Sequence, residues 1–378
     1  MKVVVAPDSF KGSLAAMDVA NNIASGIMKV FPLAEVKKIP LSDGGEGLVD
    51  SLIQSTGGKI HYQKVKGPLL NEINAFWGIL GDGKTAVIEM AAASGLLLVP
   101  EDKRNPLFTT TYGTGELIKA ALDKQCFKII VGLGGSATND GGMGMAQALG
   151  AKFLTAAGEE LPHGGGSLSR LSSIITADMD PRIKDLDLLI ACDVNNPLTG
   201  PAGASYVYGP QKGATQEIAS KLNQGLSHYA RIVARDLGVE VEHLPGSGAA
   251  GGLGAGLLAF LSGKLRPGVE VVIETVGLEK ELQNCDLVIT GEGKLDHQTI
   301  FGKVPLGVAR CAKKNNVPVI VLAGSVEENL EYLHDEGITA YFSIVNAPLT
   351  LEESMKNTGK LLEIATIEIM HIWKYRHK

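Results

Sequence analysis

The chain is poor in cysteine, in long apolar runs and in concentrated positive charge. Its four cysteines among 378 residues, Cys126, Cys192, Cys285 and Cys311, lie far apart without C-x-x-C spacing and mostly inside apolar runs. Such cysteines read as small buried hydrophobes, and a reducing compartment fits them. No apolar stretch reaches the roughly 18–20 residues of a membrane span. The opening MKVVVAP reads as a strand, not as the charged-then-apolar start of a secretion signal. A cytoplasmic protein that does not enter membranes is the expectation. Formal net charge is −6, and basic residues cluster only in the short tail 374–378. No electrostatic footprint for nucleic acid is present, so the expected partner is a small molecule.

Several catalytic signatures are missing as well. The P-loop pattern G-x-x-x-x-G-K-[ST] is absent, although Lys11-Gly12-Ser13 matches its end. Protein-kinase signatures are absent, and the eight histidines contain no H-E-x-x-H pair. Walker-type nucleotide binding and zinc hydrolysis are therefore set aside. Two stretches resemble a dinucleotide fingerprint, GLGGSA at 132–137 and GSGAAG at 246–251. In the first the helix starts late, and the second follows Leu244-Pro245, a poor strand end. They keep an NAD(P)-dependent hydroxy-acid dehydrogenase as the rival reading. A sugar-acid binding protein without catalysis is the non-enzymatic rival. Loops rich in carboxylates argue against it, because an anionic ligand gains nothing from aspartates without a metal.

What is abundant is glycine, at 47 residues, well above the roughly 7% average. It gathers in loops beside apolar strands. The densest case is IVGLGGSATNDGGMG at 130–144, where glycines let backbone N–H groups approach an anion and Ser136, Thr138, Asn139 and Asp140 supply polar side chains. Similar junctions occur at 6–13 (APDSFKGS), 40–47 (PLSDGGEG), 191–197 (ACDVNNP) and 290–296 (TGEGKLD). Any one is as readily an Asx-turn or a helix cap. Together they collect Asp8, Lys11, Asp43, Asp140, Asp193, Glu292 and Asp296, the carboxylate-plus-lysine set that phosphoryl transfer needs. The spacing alone assigns no roles, and Asp140 reads as a metal ligand, as a cap for the helix near Met143, or as both.

At 378 residues, two domains are expected. Residues 2–6, 35–39, 286–290, 317–323 and 339–344 read as strands alternating with helices at 15–30, 47–54, 306–314, 327–335 and 351–373, the pattern of an open parallel sheet. The simplest layout is an α/β fold in which a flavodoxin- or Rossmann-like domain, 1–64 plus 270–378, is interrupted by an inserted α/β domain, 65–269. Within the insertion, 59–66, 73–80 and 85–90 read as antiparallel β structure, followed by helix 115–124, strand 127–131, helix 143–149, strand 186–192 and helices 215–237 and 248–262.

APDSFKGS, PLSDGGEG, GTGEL at 113–117, GLGGSATNDGG, ACDVNNPL, YGPQKGA, PGSGAAGGLG and TGEGKLDHQT, in this order, resemble the bacterial glycerate kinase family over nearly the whole chain. The resemblance implies ATP-dependent phosphorylation of D-glycerate with Mg²⁺, mainly to 2-phosphoglycerate with the 3-phosphate as alternative, and an active site in the cleft between two α/β domains. On this reading Gly134, Gly135, Ser136, Thr138 and Asn139 cradle the phosphates of ATP, and Asp193 and Glu292 hold Mg²⁺ or its water shell. Lys11 offsets charge, and Asp8 or Asp43 acts as base toward the glycerate hydroxyl. Ser9, Ser94, Lys294 and Asp296 are candidates for contact with substrate. Lys303 and Arg104 are further candidates for its carboxylate, with Arg104 favoured as a solvated surface charge. Oligomeric state is left open.

Overall fold

The computed structural model describes residues 1–297 and 302–376. Gln298 and Thr299, at the end of the TGEGKLDHQT block, and His377 and Lys378 of the basic tail lie outside the described residues. The chain forms two compact units, one of Met1–Asp43, Asp50–Gly57 and Pro267–Lys378, the other of Gly44–Val49 and Gly58–Arg266.

The first unit is built on a five-stranded sheet, parallel throughout. Its spatial order is Ala340–Ser343, Val319–Val326, Leu287–Leu295, Lys2–Val5, Glu35–Lys38. Counted within the unit this is the flavodoxin-like order, and it reverses where Lys2–Val5 meets Leu287–Leu295. The Lys2–Val5 strand is covered because helix Ala16–Val30 lays Val19, Ile23, Ile27 and Val30, spaced at helical period, onto the same core as Val3, Val5, Leu287 and Ile289. Gly26 lets the closing helix Thr358–Arg376 come close, since a Cβ there would stand 2.7 Å from Thr366 Cβ.

Three sequence expectations change here. The strand expected at 286–290 runs on through Leu295, because its partner continues pairing to Leu295↔Val326. Glu292 and Lys294 therefore sit in a strand, not in a loop. The helix expected at 327–335 is reduced to a single 3₁₀ turn, Glu331–Leu333, after Asn329 takes a left-handed φ of 60° that a helix does not accommodate. The long helix expected over 351–373 is two helices, Leu351–Lys356 and Thr358–Arg376, separated at Asn357. The first is started by a capping box in which Thr350 and Glu353 satisfy each other's backbone N–H groups.

The second unit holds a six-stranded sheet in the order Lys264–Arg266, Asp187–Ala191, Lys128–Gly132, Thr85–Glu89, Glu72–Ile79, Lys59–Lys66. The first four strands are parallel, and the last two are added antiparallel, matching the alternation read in 59–90. Its core includes Trp77, Ile88, Leu117, Phe153, Tyr229 and Leu253. A two-stranded ribbon, Lys152–Leu154 with Ser173–Ile175, is an element the sequence reading did not contain. Among the described residues, no helix is long and apolar enough to cross a membrane.

Candidate active site

The reversal point of the first sheet is where its polar residues gather. Past Val5 the chain keeps the ladder: Ala6 N–H donates to Ile289 O at 2.9 Å and Asp8 N–H to Gly291 O at 2.8 Å. Phe10 and Leu14 then exchange backbone hydrogen bonds, both at 2.9 Å, and Gly12, at a φ of +76°, forms the tip of this tight loop. The loop thus holds Asp8, Ser9 and Lys11 beside the strand that carries Glu292 and Lys294. A cavity of about 550 Å³ opens there, lined by Asp8, Ser9, Lys11, Asp43, Glu292 and Lys294 among others. With Lys303, seven of the residues singled out in the sequence are therefore brought together. Asp296 joins them indirectly, through Lys303, which also lines the cavity.

Asp8 is the most perturbed carboxyl of the group. It is only 6% exposed, and its Oδ1 accepts the Ser9 N–H at 2.6 Å. Burial first, and then the charge of Asp43, push its pKa up to about 7. Lys11 Nζ donates to Asp43 Oδ2 at 3.1 Å. Burial works against the Lys11 ammonium, but Asp43, Asp8 and Glu292 more than offset it and hold its pKa above the usual lysine value. Lys303 Nζ lies 2.8 Å from Asp296 Oδ1 and 3.7 Å from Glu292 Oε2, and donates to the Lys294 carbonyl at 3.1 Å. Lys294 itself turns to Glu327 at 2.6 Å and to Asp296 at 3.6 Å.

The second unit carries the glycine turn. Its tip is open: Gly135 is exposed, Gly134 half-buried, and among the described residues nothing accepts the N–H of Gly134, Gly135 or Ser136. Its flank is not. A Cβ at Gly132 would stand 2.5 Å from Gly44 O, and one at Gly134 3.0 Å from Gly45 Cα, so these glycines let the turn press against the GGEG loop. Ser136 Oγ accepts from Lys212 Nζ at 2.6 Å, and the Thr138 carbonyl accepts from the same ammonium at 2.7 Å. Lys212 is 1% exposed, and burial pulls its pKa down to about 7 against the opposing charge of Asp140.

Thr138 and Asn139 are wholly buried. Asn139 Oδ1 accepts from Ser205 at 3.1 Å, while its Nδ2 has no partner among the described residues. Asp140 is also buried, and it ties the turn to its neighbours by accepting from Thr111 N at 2.8 Å, Gly142 N at 3.1 Å and Gly144 N at 3.3 Å. Burial raises its pKa in spite of these bonds. These bonds brace the start of the helix that begins at Met143.

Three other expected residues also lie in this unit. Ser94 is fully buried, with its hydroxyl 2.9 Å from that of Thr114, and its carbonyl accepts the Ala137 N–H at 2.9 Å. Asp193 stands on an exposed loop after strand Asp187–Ala191. Arg104 is not the solvated charge expected: its side chain is 24% exposed, and its Nε is buried without a partner among the described residues.

Neither dinucleotide match has the strand-turn-helix context that such a site needs. After GLGGSA the helix begins only at Met143. GSGAAG follows no strand, and it enters helix Ala249–Leu261 through three successive left-handed residues, Ala250, Gly251 and Gly252. A Cβ on Gly251 would collide with Thr138 O, so this glycine serves close backbone packing under the turn. Lys212 is the residue that sequence reasoning passed over. Its only signal was a place in YGPQKGA, where nothing announces burial.

Among the described residues no group of three or more His, Cys, Asp or Glu is placed to hold a metal by itself. Mg²⁺ asks for less, namely one or two carboxylates completed by phosphate oxygens. Asp43 and Glu292, on one cavity, meet that requirement.

Residues 3–374 match the model of the glycerate kinase family. The chain is 52% identical over 363 residues to a glycerate kinase of Bacillus subtilis (strain 168), covering 96% of this chain and 95% of that one. It is 52% identical over 356 residues to a glycerate 2-kinase of Escherichia coli (strain K12), covering 94% and 93%. Among solved structures, the crystal structure of a protein assigned as glycerate kinase 2 from Salmonella typhimurium LT2 superposes with a TM-score of 0.92 at 48% identity, covering 100% of this chain and 99% of that one.

Proposed function

Because the chain belongs to the glycerate kinase family, and is therefore a phosphotransferase acting on an alcohol group with ATP as donor, we propose that it phosphorylates D-glycerate at the 2-hydroxyl to give 2-phosphoglycerate and ADP. The family places the chain among kinases and sets aside the dehydrogenase reading. The 2-position is supported by the name of the Escherichia coli relative. The observation that carries the chemistry is Asp8, a buried carboxyl whose pKa of about 7 suits a general base at neutral pH.

Ionised Asp8 takes the proton of the glycerate 2-hydroxyl as the hydroxyl oxygen bonds to the γ-phosphorus and the bond from that phosphorus to the ADP oxygen breaks. Asp43 fixes Lys11 and helps to keep Asp8 basic. Lys11 balances negative charge on the substrate carboxylate or on the transferred group, with Ser9 and Lys294 at the same cavity as further donors. Asp296 holds Lys303 in place. Mg²⁺ would be held by Glu292 with Asp43, where it would neutralise phosphate charge; Asp193 is the other candidate ligand. Gly134, Gly135 and Ser136 offer their N–H groups to donor phosphates. Thr138, Asn139, Ser94 and Lys212 brace that turn from behind.

The test is incubation with D-glycerate and Mg-ATP followed by proton-coupled phosphorus NMR. A doublet from the new ester phosphate is expected, because one proton sits on the 2-carbon. A triplet would mean the 3-phosphate, and ADP without any ester would overturn the kinase reading.

A further inference from the structure

The cavity holding Asp8 is larger and more apolar than a three-carbon acid requires. Its volume of about 550 Å³ falls in the roughly 300–1,000 Å³ range of pockets that enclose drug-sized ligands. Every carbon of D-glycerate carries oxygen, so glycerate has no surface to offer an apolar wall. Yet beside Asp8, Lys11 and the hydroxyls of Ser13, Ser325, Ser354 and Thr358 the lining includes Phe10, Ile344, Val345, Leu349, Leu351 and Met355. Leu351 is 77% exposed, an unpartnered leucine at the start of its helix.

The shape of this end is also specific. Gly293 and Gly324 lie on neighbouring strands and leave the floor to main chain. A Cβ at Gly324 would stand 2.6 Å from Gly293 O and 3.7 Å from Phe10 Cδ1. The wall is held firmly. Ile344 N–H donates to Ala323 O at 2.9 Å, the Thr350–Glu353 capping box fixes the first turn of Leu351–Lys356, and Ser13 Oγ donates to the Met355 carbonyl at 2.6 Å. A flat floor of backbone with rigid aliphatic sides accepts a planar, largely apolar group whose remaining atoms point to the charged end. Among the reactants of a kinase, the purine of the nucleotide has that form.

We propose that the apolar end of this cavity, between Phe10 and the 344–355 segment, seats the adenine of the phosphoryl donor. The assignment rests on the kinase reading above and adds to it where the nucleoside binds. It makes the carboxyl ends of the Leu287–Leu295 and Val319–Val326 strands, rather than the glycine turn, the site of base recognition.

Two measurements test it on the full chain. In Leu351→Asp and Leu349→Asp, KM for ATP should rise about tenfold, while KM for D-glycerate stays within about twofold and the circular dichroism spectrum is unchanged. Irradiation of the wild-type enzyme with 8-azido-ATP should place an ATP-protected label in a peptide containing residues 344–355. Unchanged KM for ATP in both variants, or an ATP-protected label found only in residues 58–266 or nowhere, overturns the assignment. Failure of the kinase reading shows separately, as absence of phosphoglycerate in the wild-type phosphorus spectrum, and the labelling result stands whatever that spectrum contains.

Discussion

A carboxyl of aspartate in water titrates near 4, whereas Asp8, buried and facing Asp43, is pushed up to about 7. The shift has a catalytic and a stability consequence. As base, Asp8 must be ionised, so kcat/KM for the wild-type enzyme should climb through pH 7 with the slope of a single group. Asp8→Asn should lose that limb together with about 10²–10⁴-fold in kcat and little in KM. For stability the sign is opposite. Below pH 4 folded and unfolded chains both hold the proton. Between pH 4 and 7 only the folded chain does, so stability falls as pH rises through that window. Asp8→Asn should therefore melt higher than wild type at pH 8, by on the order of 2 kcal/mol, with the gap closing toward pH 4. Calorimetry at the two pH values checks it. A variant less stable at pH 8 than wild type would mean that the carboxylate is not buried at a cost.

At the scale of the element, the glycine turn is shaped by what lies behind it. Lys212 joins Ser136 Oγ to the Thr138 carbonyl, and Asp140 gathers backbone donors from both sides. The turn thus presents Gly134 and Gly135 outward on a braced base. Lys212→Met keeps the length of the side chain and removes both bonds, leaving a carbonyl and a hydroxyl buried. A cost of about 1–3 kcal/mol is expected for such orphaned groups. If the turn receives phosphates, KM for ATP should rise while KM for D-glycerate holds. Thermal melting with steady-state kinetics reads both, and a melting shift with unchanged KM for ATP would confine Lys212 to structure. The turn was visible in the sequence as glycine, serine, threonine and asparagine after an apolar strand. That Thr138 and Asn139 face inward was not, because the sequence pattern of a loop lacks the periodicity that tells the buried face of a helix or strand from the open one. Likewise the extension of strand Leu287–Leu295 over Glu292 depends on a partner strand whose length no local pattern announces.

At the scale of the molecule, the described residues include one core around Val3, Ile23 and Ile289 in the first unit and another around Trp77, Phe153 and Tyr229 in the second. The second is continuous apart from residues 50–57, and it has a sheet and covering helices of its own. A chain of residues 44–266 should accordingly melt cooperatively, while binding no D-glycerate for want of Asp8, Lys11 and Asp43. Calorimetry and glycerate titration of that fragment check both points; a fragment without a melting transition would show that the second core depends on the first.

The sequence by itself determined the class of the molecule: apolar strands alternating with helices, polar glycine-rich segments following those strands, and the ordered blocks that mark the glycerate kinase family. These are readable because periodicity and turn chemistry are local properties of a chain. Only the tertiary structure decided that Asp8 sits against the 287–295 strand with its pKa raised, that Lys212 is buried beneath the turn, and that the cavity has an apolar end. Each of these depends on burial, which arises when segments far apart in the chain pack together, and desolvation then changes what a carboxyl or an ammonium can do.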